Sequence, residues 1–206
     1  MSEGKANKVK FNIKNVHYAL LHEDESGSVT WDPPVKVPGA VSISLDASGE
    51  ITPFYADGMV YYQTSSNTGY EGDLEMALIP DSFRIDILKE QKDSKGVLIE
   101  NANVETAKFA LLFEFDGDQK SVRHVLYNCT ATRPSVEGET TEDTKEPTTE
   151  TLSISAAPLA DGKVKAKTGA DTEETTYTQW YDSVYVPADG AEPAKAGSSR
   201  VGQANV

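Results

Sequence analysis

Residues 70–79, YEGDLEMALI, alternate without a break, with Tyr70, Gly72, Leu74, Met76 and Leu78 on one side and Glu71, Asp73, Glu75, Ala77 and Ile79 on the other. A period of two marks a β-strand with one apolar face, and the opposite face here begins as a row of carboxylates. Pro80 ends the run. Asp81 is placed to cap a short helix through SFRIDILKE, about 81–90, with Phe83 and Ile87 one turn apart on the same side. Whatever this chain folds into must contain a sheet that is covered on one face and shows uncompensated acids on the other.

The rest of the chain supplies that sheet. Alternating runs of four to nine residues recur at 15–22, 35–37 with 40–46, 51–55, 59–64, 107–115, 122–130, 150–156, 163–167 and 183–186, separated by Gly, Pro, Asp and Asn. Helical periodicity is confined to one or two segments, so the fold class is mainly β with a helix attached. In 41–46, Val41, Ile43 and Leu45 oppose Ser42, Ser44 and Asp46, while Phe109, Leu111, Phe113 and Phe115 make one apolar face of 107–115. These faces, with that of 70–78 and the helix as a lid, are expected to form most of one core. Asp116-Gly117-Asp118 reads as the turn of a hairpin.

With 206 residues, 38% of them hydrophobic, the chain suits a single domain with arms. Its formal net charge of −14 argues against attraction to nucleic-acid phosphates or an anionic membrane, although repulsion from nucleic acid could itself be useful. Cys129 is the only cysteine, which excludes an intrachain disulfide, suits a reducing compartment and reads as a buried, inert thiol. MSEGKANKVKF has no apolar signal core, and no run approaches a membrane span of ~18 apolar residues, so no membrane partner is expected.

Three regions do not read as core. Residues 46–69 form a long excursion bearing Phe54, Tyr55, Tyr61 and Tyr62, either an exposed functional loop or an additional internal hairpin. Residues 137–150, EGETTEDTKEPTTE, form an acidic, threonine-rich connection, and 188–206 an Ala/Gly/Pro/Ser-rich tail expected to be flexible.

Catalytic chemistry finds little support. Glu71, Asp73 and Glu75 at i, i+2 and i+4 have α-carbons about 6.5–7 Å apart, which overlaps the carboxyl spacing of an inverting glycosidase. A strand ladder, however, gives its members similar surroundings, whereas acid and base need different ones. His17, His22 and His124 form no metal-binding spacing, and His22 beside Glu23, Asp24 and Glu25 reads as a solvated turn. No phosphate loop or nucleophile elbow is present. No cofactor, metal or catalytic residue is assigned. A binding alternative is a carbohydrate-recognising β-sandwich of a host-adhesion device, with Trp31, Trp180 and the tyrosines as sugar platforms.

The segments ANKVKFNIKNVHYAL (6–20), PGAVSISLD (38–46), TPFYADG (52–58), SNTGYEGDLEMALIPDSFRIDIL (66–88), KFALLFEFDGD (108–118), RHVLYNCTATRPS (123–135) and ETLSISAAPLADGKVKAKT (150–168) closely resemble the major tail proteins of long-tailed, non-contractile bacteriophages (siphophages) of Gram-positive bacteria. The likeness runs in order from about residue 6 to 187. It implies a two-sheet β-sandwich or small barrel flanked by one helix, a long stacking loop at about 46–69, an N-terminal arm over 1–14, a domain over 15–187 and a free tail over 188–206. It also implies hexameric rings stacked into a virion tail tube, assembled in the host cytoplasm, with tape-measure, tail-tip and tail-terminator proteins as partners. Double-stranded DNA would pass through during ejection without specific binding. Ser42, Ser44, Asp46, Glu71, Asp73 and Glu75 are then expected to line the lumen, and Phe54, Tyr55, Tyr61 and Tyr62 to make subunit contacts.

Overall fold

The computed structural model describes residues 5–138, 140 and 147–187. Its strands are β1 (Lys10–Glu23), β2 (Val29–Trp31), β3 (Val35–Lys36), β4 (Ala40–Ser48), β5 (Ile51–Ala56), β6 (Met59–Ser65), β7 (Gly69–Met76), β8 (Gln91–Lys92), β9 (Leu98–Ile99), β10 (Phe109–Gly117), β11 (Val122–Ala131), β12 (Glu150–Ala156) and β13 (Lys165–Lys167). Two short helices, α1 (Asp81–Asp86) and α2 (Glu174–Thr178), complete it, the second running into a 3₁₀ turn at Gln179–Tyr181.

Nine strands form one antiparallel sheet in the order β2-β1-β10-β11-β12-β7-β4, with β3 added to β1 and β13 to β11. The sheet curls until β1 and β4 touch without sharing a ladder. The facing layers thus belong to one continuous sheet, which is the small-barrel form of the expected fold. Glycine permits the tightest approach within it: at Gly72, in the middle of β7 with φ +156°, an added Cβ would collide with the Ser44 carbonyl of β4.

Inside the curl, Leu74, Met76, Phe109, Leu111, Leu126, Cys129, Leu152 and Ile154 are buried together, and α1 closes the space. Phe83 of α1 meets Tyr18 and Phe109 edge-on, with ring centroids 5.3 and 5.6 Å away. The Tyr18 hydroxyl donates to Asp86 at 2.6 Å, fixing the helix to β1. The helix is shorter than the 81–90 expectation, and its N-cap is Pro80, so Asp81 stands in the first turn and does not cap. Proline's fixed φ suits that position at the end of an extended segment.

β10 is buried on both faces, and the residues behind Phe109 and Leu111 explain why. Ala110, Leu112, Val125 and Tyr127 form a second cluster with Trp180 and Val184 from the C-terminal segment. Residues 183–186, expected to be a strand, are irregular instead: they follow the short helical turns at Glu174–Tyr181, and Trp180 and Val184 hold the segment as a strap over the outer face. Glu114, buried at the edge of this cluster, is satisfied by Asn15 Nδ2 at 2.9 Å, Arg123 Nε at 3.0 Å and the Tyr181 hydroxyl at 3.2 Å. Arg123 in turn lies over the Tyr177 ring, 3.9 Å from its centroid, and donates to the Tyr177 carbonyl.

Three further expectations need correction. The N-terminal arm does not extend to residue 14, because β1 already pairs with β10 from Lys10, across from Gly117. Irregularities between Phe11 and Ile13 and between Lys14 and His17, with positive φ at Asn12 and Asn15, break the alternation that would have revealed this strand. Val41 does not join Ile43 and Leu45 in the core: the β4–β7 register slips between Ala40 and Ser42, leaving Val41 exposed. Leu78, past the end of β7, is likewise exposed, and Ile79 is buried in its place. Residues 139 and 141–146 of the acidic connection and all of the 188–206 tail lie outside the described residues.

Candidate functional site

Two exposed regions stand out, and both grow from the β4–β7 pair. The first is the outward face of β4, β7 and β12. Their registers align three rungs: Ser42, Glu75 and Thr151; Ser44, Asp73 and Ser153; Asp46, Glu71 and Ser155. Each rung therefore places one β7 carboxylate between side chains of two neighbouring strands. Ser42 donates to Glu75 at 2.8 Å, Thr149 donates to its other oxygen at 2.7 Å, and Ser153 donates to Asp73 at 2.8 Å. The Thr149 hydroxyl, and then that of Ser42, hold the Glu75 carboxyl below the usual carboxylate range. Leu74, Leu152 and Ile154 point the opposite way into the core and fix which side the rungs face.

All six residues expected to form a lining are thus brought onto one surface. The sequence reading missed their β12 partners Thr151, Ser153 and Ser155, and also Thr130 and Thr132, which continue the surface at the β11 end. The signal was present in ETLSISA, whose Thr and Ser alternate with Leu and Ile, but nothing in sequence spacing says which strand lies beside β7. None of β4, β7 and β12 contains a lysine or arginine.

The second region is the excursion at 46–69. β5 and β6 form a separate two-stranded sheet, closed by Asp57-Gly58 with φ of 52° and 76°, the paired left-handed conformation of a type I′ turn. Phe54 faces Tyr62 across the ladder. Phe54, Tyr55, Tyr61 and Tyr62 are all exposed, at 61%, 64%, 72% and 63%. Such a hairpin is marginal alone in water, and its rings leave a large apolar area in solvent.

The other candidates are absorbed by structure. Trp180 is buried and stacked on Tyr185, and Trp31 donates to the Tyr127 carbonyl at 3.0 Å, so neither offers a sugar platform. Cys129 is buried, and burial pushes its thiol up to about 12. His22 pairs with Asp32 at 3.0 Å, and the Asp24 carboxylate accepts from Ser26 and Ser28 within its own turn.

Comparison with known proteins agrees with an architectural role. No curated protein matches the chain. Among solved structures, it resembles the anti-feeding prophage cap, a tube-terminating cap solved by cryo-electron microscopy, at 10% identity over 82% of this chain and 97% of that one, with a TM-score of 0.40. The family model for phage tail tube proteins matches residues 5–185. The chain therefore belongs to the phage tail tube protein family, whose members are structural components of the virion tail and not enzymes.

Proposed function

We propose that six copies form a ring, that rings stack into the tail tube, and that the β4–β7–β12 face lines the bore through which the DNA genome leaves the capsid. The observation that carries this reading is the cation-free polar surface with a carboxylate on every rung. Duplex DNA carries a negative charge every ~1.7 Å and binds basic surfaces by releasing counterions. A wall of acids and hydroxyls gives it nothing to hold. The screening length at physiological salt is about 8 Å, so the wall acts at close range as a non-stick lining.

The same reading explains the free edges. Among the described residues β4 ends the sheet and shares a ladder with β7 alone, so its other edge carries backbone groups with no strand partner within the subunit. Rings closed around an axis remove such edges, and head-to-tail stacking is a heterologous contact that continues as a filament. The β5–β6 hairpin is the arm that grips adjacent subunits, with Phe54, Tyr55, Tyr61 and Tyr62 as its contact residues. Tape-measure, tail-tip and terminator proteins set the length and ends, and assembly takes place in the cytoplasm of a Gram-positive host.

Replacement of Glu71, Asp73 and Glu75 together by lysine tests the lining. Tubes are expected to form, and particles built from them to eject DNA slowly or not at all. Ejection at the normal rate would rule out the bore assignment.

A further inference from the structure

Where β1 and β4 approach without pairing, the curled sheet leaves a cavity of about 320 Å³, walled by Leu45, Tyr70, Phe113, Phe115 and His124. Two exposed lysines stand over it. Lys165 Nζ lies 4.0 Å from the centroid of the Tyr70 ring, and Lys10 Nζ 4.8 Å from that of Phe115. His124 stacks on Phe113 with ring centroids 5.1 Å apart and feels Lys167, Lys165 and Lys10, which add to burial in keeping it neutral. The seam is thus an aromatic hollow with a cationic mouth. Its size suits on the order of one or two aromatic side chains.

The β5–β6 hairpin has the complementary chemistry. Residues 46–69 contain Asp46, Glu50 and Asp57 and no lysine or arginine. Asp57 occupies the turn, and the exposed Tyr55 and Tyr61 lie on the two strands it joins. We propose that the seam between β1 and β4 receives the hairpin tip of a neighbouring copy, with a tyrosine ring entering the cavity and Asp57 lying between Lys10 and Lys165. This rests on the reading of the hairpin as the arm between subunits and adds the place where the arm lands. Like charges alone would not bring two molecules of net charge −14 together, so an acidic tip meeting a local cationic mouth also selects this contact over others.

The test uses the full chain with Cys129→Ala, so that no other thiol remains. Asp57→Cys with Lys165→Cys, assembled and then oxidised, is expected to give a ladder of covalent oligomers on a non-reducing gel. Asp57→Cys with Lys92→Cys is expected to give none. In a second arm, Lys10→Glu with Lys165→Glu should lower tube yield at least tenfold at low salt, and adding Asp57→Lys should restore it. Tubes that form but do not cross-link, or a double glutamate variant that assembles normally, would overturn the landing site while leaving the arm itself intact. Failure of the arm reading shows differently, as normal tubes from a chain whose residues 54–62 have been removed.

Discussion

The hairpin β5–β6 and the face of β4, β7 and β12 are both exposed and both alternate in sequence, and the hairpin links β4 to β7 in the chain, yet they present opposite surfaces. The hairpin displays large aromatic rings on a two-stranded ribbon with no core beneath it. The face displays hydroxyls and carboxylates on a sheet anchored by Leu74, Leu152 and Ile154. Exposure in a single subunit thus has two meanings. Apolar area left in water is favoured to be covered, at roughly 25 cal/mol per Å², whereas hydrated acids resist being covered. On the proposed function, one surface is made to stick and the other to stay clear.

The sharpest way to break this contrast is to remove the sticky half. Pro53 and Gln63 face each other across the ladder, so residues 54–62 can be replaced by Asn-Gly without stretching the chain. The expected product is a folded subunit with unchanged far-UV circular dichroism that forms no tubes at any concentration, as read by negative-stain microscopy. Normal tubes from this variant would show that the aromatics serve some other purpose.

Single substitutions should separate the two regions in the unassembled subunit. Phe113→Ala, emptying a core position beneath the curled sheet, is expected to cost about 3–5 kcal/mol in urea unfolding, and Leu74→Ala beneath the rungs about 2–5 kcal/mol. Phe54→Ala, on the hairpin, is expected to change stability by no more than about 0.5 kcal/mol while weakening assembly. A hairpin substitution as costly to the monomer as a core one would mean that the ribbon packs on its own subunit.

How much of this was legible in the sequence follows from the same contrast. Regular alternation over a half-buried sheet was readable, which is why β7 with its row of carboxylates, and β12, could be placed as strands from the chain alone. The Asp57-Gly58 turn, between two β-rich runs, was equally open to a hairpin reading. What failed did so where register departs from strict alternation or where tertiary packing decides. Irregular pairing hid the first residues of β1, a slip exposed Val41, and the run at 183–186 could not reveal that Trp180 pulls its segment into a strap over Leu112 and Val125. Lateral neighbours were also beyond reach: β12 beside β7 is a pairing across about eighty residues, and it supplies one side chain to each rung of the polar face.

Charge sharpens the comparison further, because neither region carries a cation and the lysines gather around the β1–β4 seam instead. His124 reports on that gathering. Burial, with Lys167, Lys165 and Lys10 adding to it, lowers its pKa to about 4. Between about 6.5, its value in an unfolded chain, and about 4 the unfolded state takes up a proton that the native state refuses. The contribution is therefore fully present above pH 6.5 and lost as pH falls toward 4. Allowing for partial exposure of the ring, the subunit should lose about 2 kcal/mol across that window from this group. His124→Gln should flatten the profile by that amount; an unchanged slope would mean that the folded subunit does not hold His124 neutral.

The smallest effect lies within the polar face itself. Glu75 receives two hydroxyl donors, Thr149 and Ser42, and both favour its charged form. Thr149→Val removes the larger contribution and preserves shape, so the Glu75 carboxyl should titrate at a higher pH, measurable from its side-chain carbon shift. Global stability should hardly move, because the carboxylate remains hydrated in either case. Combining it with Ser42→Ala should carry the titration to the ordinary range of a solvated glutamate. If neither substitution moves it, the hydroxyls merely share the surface with the acid, and the rung is a set of neighbours with no part in keeping the wall charged.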